Sequence, residues 1–192
     1  MKNLSGLFSA SLQKHIELFK TLYKLEDQVI HLVNRCHQTI NNGGKIVFFG
    51  NGGSAADSQH LAAEFVVRYK KTRGALPAIA LTTDTSILTA NANDFGFESV
   101  FSRQVEALCN KADIVIGLTT SGQSPNVNLA LQAANNIGAY TVALTGKDGG
   151  TVTNIANMSI IIPHQDTARI QEAHMFLGHW VCEAYDTFFT KE

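Results

Sequence analysis

A chain of 192 residues with a formal net charge of −1 and only 16% charged residues is long enough for the full core of one domain. It is too poor in positive charge for a nucleic-acid groove or a membrane-surface patch, and its one basic run, RYKKTR at Arg68–Arg73, reads as a solvated segment. With 45% apolar residues set against so little charge, part of the surface is expected to be covered by further copies of the chain.

In chain order, apolar residues from Leu7 to Ile40 (Phe8, Leu12, Ile16, Phe19, Leu22, Val29 and Val33 among them) recur at helical spacing without proline, which predicts one long helix or two. The opening MKNLSGLFSASLQKHIE lacks the uninterrupted apolar stretch of a signal peptide, and no run approaches the roughly 18 apolar residues of a membrane span. Asn42-Gly43-Gly44 ends the helical region, because glycine tolerates the left-handed backbone that closes a helix. Beyond it, short β-type runs at 46–49, 78–81, 114–118, 140–144 and 159–162 alternate with helical stretches at about 54–68, 85–92, 97–109, 125–137 and 149–156. A last helix is expected at about 166–189. Strands separated by helices need crossover connections, so the fold class is α/β, a doubly wound five-stranded parallel sheet flanked by helices, with an N-terminal helical extension. No repeat, linker or low-complexity segment interrupts it. The whole of 1–192 reads as one domain, with N-terminal helices over 1–42 and the α/β core and its C-terminal helix over 45–192. Cys36, Cys109 and Cys182 are odd in number, far apart and form no C-x-x-C, which predicts reduced thiols in a cytoplasmic protein.

Open parallel sheets bind ligands beyond the carboxyl ends of their strands, so the segments of interest are Gly50–Ser54, Thr82–Asp84, Thr119–Ser124, Thr145–Gly150 and Pro163–Asp166. In GNGGSAAD the glycines let backbone N–H groups approach an anion at the positive end of a helix dipole. Ser54 is the expected N-cap of that helix, with Asp57 at the capping-box spacing. Gly50-x-Gly52-x-x-Ala55 loosely matches a dinucleotide fingerprint, but the acidic residue about 20 positions on that such a site wants is missing. The loop LTTSGQSPN offers the hydroxyls of Thr119, Thr120, Ser121 and Ser124, then Pro125 at the first helical position. With no Lys or Arg it suits a phosphate monoester held by neutral donors, an ordinary Ser/Thr-rich turn being the plain alternative.

His60 and Glu64 lie four residues apart and face the same way on their helix, with Asp57 on nearly the same side. Residues 61, 62, 65 and 66 are apolar, so the pair is expected to lie off any solvated face, where a metal or a substrate would supply its partner. A structural hydrogen bond is the plain alternative. In ARIQEAHMFLGHWVCEAY the expected core stripe is Ile170, Ala173, Leu177, Val181, Ala184 and Phe188. A second face, with Gln171, Met175, Gly178, His179 and Cys182, is expected to meet another subunit or the active site.

Together, GNGGSAADSQHLAAE, ANANDFGFESVFSRQVEA, LTTSGQSPNV, ALTGKDGG and TARIQEAHMFLGHW resemble the sugar-isomerase (SIS) domain family along essentially the whole chain, and most closely its branch that acts on seven-carbon sugar phosphates. That resemblance implies conversion of sedoheptulose 7-phosphate into D-glycero-D-manno-heptose 7-phosphate, the first step toward the heptose of the lipopolysaccharide core. It also implies a cytoplasmic homotetramer with zinc in active sites between subunits. Carried over motif by motif, Asn51, Gly52, Gly53, Ser54, Asn93 and Asp94 hold the sugar, and Thr119, Thr120, Ser121 and Ser124 hold the phosphate. His60, Glu64, Gln171 and His179 form the metal and acid–base group, Glu64 and Gln171 also touching substrate. Glu64 and His179 are the catalytic pair, with Glu64 as the carbon base. Thr119 stands where the branch usually has Ser, and Ala168 where some members have Asp. Gln171 and His179 are about 12 Å apart along a helix, which leaves three alternatives: their side chains converge, they serve different subunits, or His174 replaces one of them. The competing reading is a non-catalytic relative that binds the bacterial replication initiator protein; its pattern lacks counterparts of Glu64 and His179, both present here.

Overall fold

The computed structural model describes residues 4–189. All five expected strands form: β1 (Ile46–Gly50), β2 (Ala78–Ala80), β3 (Ile114–Thr119), β4 (Tyr140–Gly146) and β5 (Met158–Ile162). They pair in parallel in the order β2-β1-β3-β4-β5. The helices are α1 (Leu4–Phe19), α2 (Glu26–Asn41), α3 (Gly53–Val66), α4 (Thr85–Phe95), α5 (Ser102–Leu108), α6 (Pro125–Asn136) and α7 (Thr167–Asp186). Strand alternation sorts the core into two layers. Phe48, Ile116, Leu118 and Leu144 point to the face covered by α2, α3 and α7, whereas Val47, Phe49, Val115 and Ala143 point to the face covered by α5 and α6.

The N-terminal region is two helices, not one. Thr21 directs both its hydroxyl and its N–H to the carbonyl of Leu18, at 2.7 and 2.8 Å, a local bonding choice that stops α1 and leads into a short 3₁₀ turn at Leu22–Leu25. Helix α2 then buries Val29, Leu32, Val33 and Cys36 in one stripe, carries Glu26 and Asp27 at its positive end, and is closed by Gly43 at φ +77°. Helix α1 instead buries only Leu18, and its apolar residues Leu7, Phe8, Leu12 and Ile16 face outward.

Three helical expectations change. The stretch expected over 97–109 is divided: α4 runs on to Phe95, Gly96 turns the chain at φ +88°, and a 3₁₀ turn (Phe97–Ser99) precedes α5. The buried amide of Asn91 fixes that break by donating to Gly96 O at 3.1 Å and Ser99 Oγ at 2.8 Å. The stretch at 149–156 is only a 3₁₀ turn (Thr151–Asn154), because Gly149 and Gly150 both take positive φ just before it. Helix α7 ends at Asp186, so Phe188 falls outside it and is exposed, and Tyr185 fills the core position in its place. Gly178 and Cys182, assigned to the second face, are also buried.

Candidate active site

From β1 the chain goes outward to β2 and then crosses back to β3, so the loops after β1 and β3 part around a crevice at the carboxyl edge of the sheet. The two segments expected to bind substrate meet there. Asn51 and Asn126 exchange amide hydrogen bonds across it, at 2.9 and 2.8 Å. Sequence reasoning missed Asn126. Its signal was an Asn directly after the helix-opening Pro125, where a side chain can fold back toward the loop.

The first turn enters its helix earlier than expected. Gly52, at φ +56°, is the N-cap of α3, a conformation that only glycine takes without strain. Ser54 is therefore not a cap: it is buried inside the first helical turn, where its carbonyl accepts from Ser58 Oγ at 2.7 Å. Asp57 closes no capping box. Its Oδ2 is buried without a partner, and burial pushes its carboxyl up to about 6 against the opposing pull of His60. Gln171 of α7 packs on this turn so closely that a Cβ on Gly53 would lie 2.4 Å from its Nε2.

The second turn is tight and pre-formed. Thr119 Oγ1 and Ser124 Oγ lie 3.1 Å apart, and Ser121 Oγ accepts from Gln123 N at 3.2 Å. Ser124 is the N-cap of α6 and Pro125 its first residue, as expected, but the Ser124 hydroxyl is turned toward Thr119 and not toward the helix. Gly122, at φ +67°, lies against Gly149, and a Cβ there would stand 1.9 Å from the Gly149 carbonyl oxygen. Asn93 and Asp94 are exposed at the end of α4 and bonded to each other at 2.7 Å.

The third group comes from two helices. Gly178 lets α7 approach α3 until a Cβ at that position would lie 2.5 Å from Leu61. One residue on, His179 Nε2 stands 3.2 Å from His60 Nε2, which is 3.1 Å from Glu64 Oε1. The ligand atoms of His60, Glu64 and His179 all lie within 4.8 Å of one another, the one such group among the described residues. Tyr69 stacks on the His179 ring, with centroids 5.6 Å apart and planes inclined by 23°. The pair on α3 lies on the rim and not away from solvent: the His60 side chain is 50% exposed and Val66 is exposed too, since only Leu61, Ala62 and Phe65 of this stretch reach the core. His174 stays outside the group. It is wholly buried, its Nε2–H donates to Thr145 O at 3.1 Å, and burial lowers it to about 4 despite that hydrogen bond.

The donor set fits a divalent cation. Tetrahedral zinc with bonds of 2.0–2.1 Å sets neighbouring ligand atoms about 3.3 Å apart, close to the 3.1 and 3.2 Å separations from His60 here, with the Glu64 and His179 atoms within 4.8 Å of each other. Two imidazole nitrogens that face each other this closely need a proton or a cation between them, and two imidazoles with one carboxylate match the three-ligand pattern of open catalytic sites.

The basic run at Arg68–Arg73 is not simply solvated. The Arg73 side chain is 2% exposed and pairs with Asp186, 3% exposed, at 3.0 Å. Nothing in the spacing announces this pair, which joins the segment after α3 to the end of α7.

The SIS domain family profile matches residues 12–146. Among curated relatives, a phosphoheptose isomerase of Aquifex aeolicus is 55% identical over 81% of this chain and 82% of its own length. Another, of Trichlorobacter lovleyi, is 48% identical over 94% of this chain and 92% of its own. Among solved structures, a phosphoheptose isomerase from Neisseria gonorrhoeae is 41% identical and superposes with a TM-score of 0.92, covering 96% of this chain and all of that one.

Proposed function

Because the chain belongs to the SIS domain family and, within it, to the phosphoheptose isomerases, we propose that it converts sedoheptulose 7-phosphate into D-glycero-D-manno-heptose 7-phosphate with Glu64 and His179 as its acid–base pair. The observation that carries this reading is the convergence of His60, Glu64 and His179 from two helices.

Aldose–ketose isomerisation takes a proton from C1 of the ketose and returns it to C2 through an enediol. Glu64 is the carbon base: Oε1 faces His60, which leaves Oε2 to take the proton and give it back. His179, across from His60, serves the substrate oxygens. Asn51, Gly52, Gly53, Ser54, Asn93 and Asp94 orient the sugar hydroxyls. Thr119, Thr120, Ser121 and Ser124 receive the phosphate, whose oxygens bridge the Thr119 and Ser124 hydroxyls now facing each other. His60, Glu64 and His179, with Gln171 as a fourth donor, would hold a zinc ion, which would supply Lewis-acid polarisation of the carbonyl when bound.

The working form is a cytoplasmic homotetramer with the active sites between subunits, making the first intermediate toward lipopolysaccharide heptose. The outward apolar face of α1 with Leu7, Phe8, Leu12 and Ile16, and Phe176 of α7, supports self-association. None of the described helices is long and apolar enough to cross a membrane. The initiator-binding reading is not favoured, since Glu64 and His179 are both present and stand in one cluster and the curated relatives reported above are isomerases.

The test is turnover of sedoheptulose 7-phosphate by wild type and Glu64→Gln, with zinc content measured on both. Wild type turns over, and a folded Glu64→Gln loses about 10²- to 10⁴-fold in kcat; zinc kept by that variant assigns Glu64 to the proton rather than to the ion. No turnover by zinc-loaded wild type would sink the heptose reading.

A further inference from the structure

Besides the adjacent carbonyl of Gly74, four backbone groups converge on the buried pair of Arg73 and Asp186, two from the last turn of α3 and two from the residues after Tyr69. Arg73 Nε donates to Asp186 Oδ1 at 3.0 Å, while Nη2 donates to the carbonyl of Glu64 itself and Nη1 to that of Phe65, both at 2.9 Å. Arg73 thus occupies the carbonyls that the last turn of α3 leaves open, including the one on the proposed base. The other carboxylate oxygen, Asp186 Oδ2, accepts from Lys70 N at 3.0 Å and Lys71 N at 2.9 Å. Those two N–H groups directly follow Tyr69, whose ring lies on His179.

Asp186 stands seven residues after His179, two helical turns along nearly the same face of α7. One carboxylate thereby fixes the end of α7, the connection after α3 and, through Arg73, the end of α3. Burial of Asp186 opposes its ionisation, but the hydrogen bonds from Lys71 N, Arg73 and Lys70 N outweigh it and hold the carboxyl below its ordinary value, so the clamp is charged at neutral pH. A second pair joins the same two segments, Lys70 Nζ with Glu183 Oε1 at 2.7 Å, but both side chains are at least half exposed, where an ion pair contributes little.

We propose that the Arg73–Asp186 pair, acting through the last turn of α3 and through Tyr69, is the positioning device that holds Glu64 and His179 in mutual register for proton transfer. Arg73, Asp186 and Tyr69 are positioning residues. A buried guanidinium that donates through Nε to the carboxylate and through both Nη groups to backbone carbonyls, together with a stacked ring, fixes both backbone and ring plane, which flexible exposed contacts do not. The inference rests on the acid–base reading of Glu64 and His179 above.

The experiment uses the full-length chain freed of metal, titrated with Co²⁺ by its visible absorption, together with kcat and KM for sedoheptulose 7-phosphate. Tyr69→Leu removes the ring and leaves the buried pair in place. It is expected to weaken Co²⁺ binding about 10- to 100-fold and to lower kcat by a similar factor, with KM and the unfolding midpoint unchanged. Tyr69→Phe, which keeps the ring, restores wild-type values, and Lys70→Ala, which breaks only the exposed pair, changes neither. Asp186→Asn moves Co²⁺ affinity and kcat in the same direction; should it fail to fold, Arg73→Lys, which keeps the charge but cannot make all three of the contacts to Asp186 and the Glu64 and Phe65 carbonyls, carries the test of the pair. Wild-type Co²⁺ affinity and kcat in both Tyr69→Leu and the folded variant of the buried pair, with Glu64→Gln still inactive, overturns the positioning role and leaves the acid–base reading standing. Wild-type affinity and kcat in His179→Gln overturns both.

Discussion

Thr119 and Ser124 are five residues apart in the chain and their hydroxyls lie 3.1 Å apart; His60 and His179 are 119 residues apart and their Nε2 atoms lie 3.2 Å apart. The hydroxyl loop is made by one strand end, one glycine turn and one helix start, and it is held by backbone packing of Gly122 on Gly149. The cluster is made by two helices on the other side of the crevice, and it is held by the fit of Gly178 against Leu61 and by a buried ion pair. An anion cradle needs only donors in local succession, which a contiguous segment provides. A base, an acid and a metal ligand set need side chains aimed from different directions, and only tertiary packing supplies that.

The difference is broken most sharply at the loop's hinge. Gly122→Ala forces a side chain into positive φ and against the Gly149 carbonyl. Unfolding in urea is expected to show a loss of about 3 kcal/mol or more, and the cluster's Co²⁺ affinity in the protein that remains folded should stay close to wild type. A Co²⁺ affinity that falls with the loop would show the two regions to be one unit.

Acid should act on the cluster's side first. His174, on α7 between Gln171 and His179, is lowered to about 4 by burial and titrates near 6.5 once unfolded. At this residue the unfolded state therefore binds more protons between those values, so the His174 contribution to stability is full above pH 6.5 and falls as pH drops toward 4. Asp57, raised to about 6, contributes in the opposite sense. The His174 loss reaches about 3 kcal/mol at pH 4. His174→Gln should lack this slope in urea midpoints measured from pH 7 to 4; an unchanged slope would clear His174 of it.

The smallest effect is expected from the loop's own hydroxyls. If these hydroxyls receive the phosphate as proposed, Thr119→Val or Ser124→Ala costs one hydrogen bond, about 1 kcal/mol, seen as a several-fold rise in KM with kcat nearly kept. A fall in kcat at constant KM would move these hydroxyls from binding to chemistry.

Much of this was legible in the sequence because its signals are local. Every strand began within a residue of its expected start, since apolar runs such as Ile114–Leu118 are bounded by polar turns. Ser124 and Pro125 mark the start of α6 because a fixed φ and a non-helical cap are properties of those residues alone. Ser54 was misread as a cap because Gly52, by accepting positive φ, admits the helix before it. Arg73 was misread as solvated because its partner, Asp186, lies 113 residues away and composition carries no trace of it.

The sequence by itself determined the alternation of strands and helices, the two glycine turns and the pairing of His60 with Glu64 on one helical face, all consequences of backbone dihedrals and helical period. Tertiary structure alone decided that His179 meets that pair, that Gln171 packs on Gly53, that His174 is sealed in the core and that Arg73 is buried. Those outcomes depend on how closely α3 and α7 pack, which is set by the absence of a side chain at Gly178 and the shape of Leu61 opposite it.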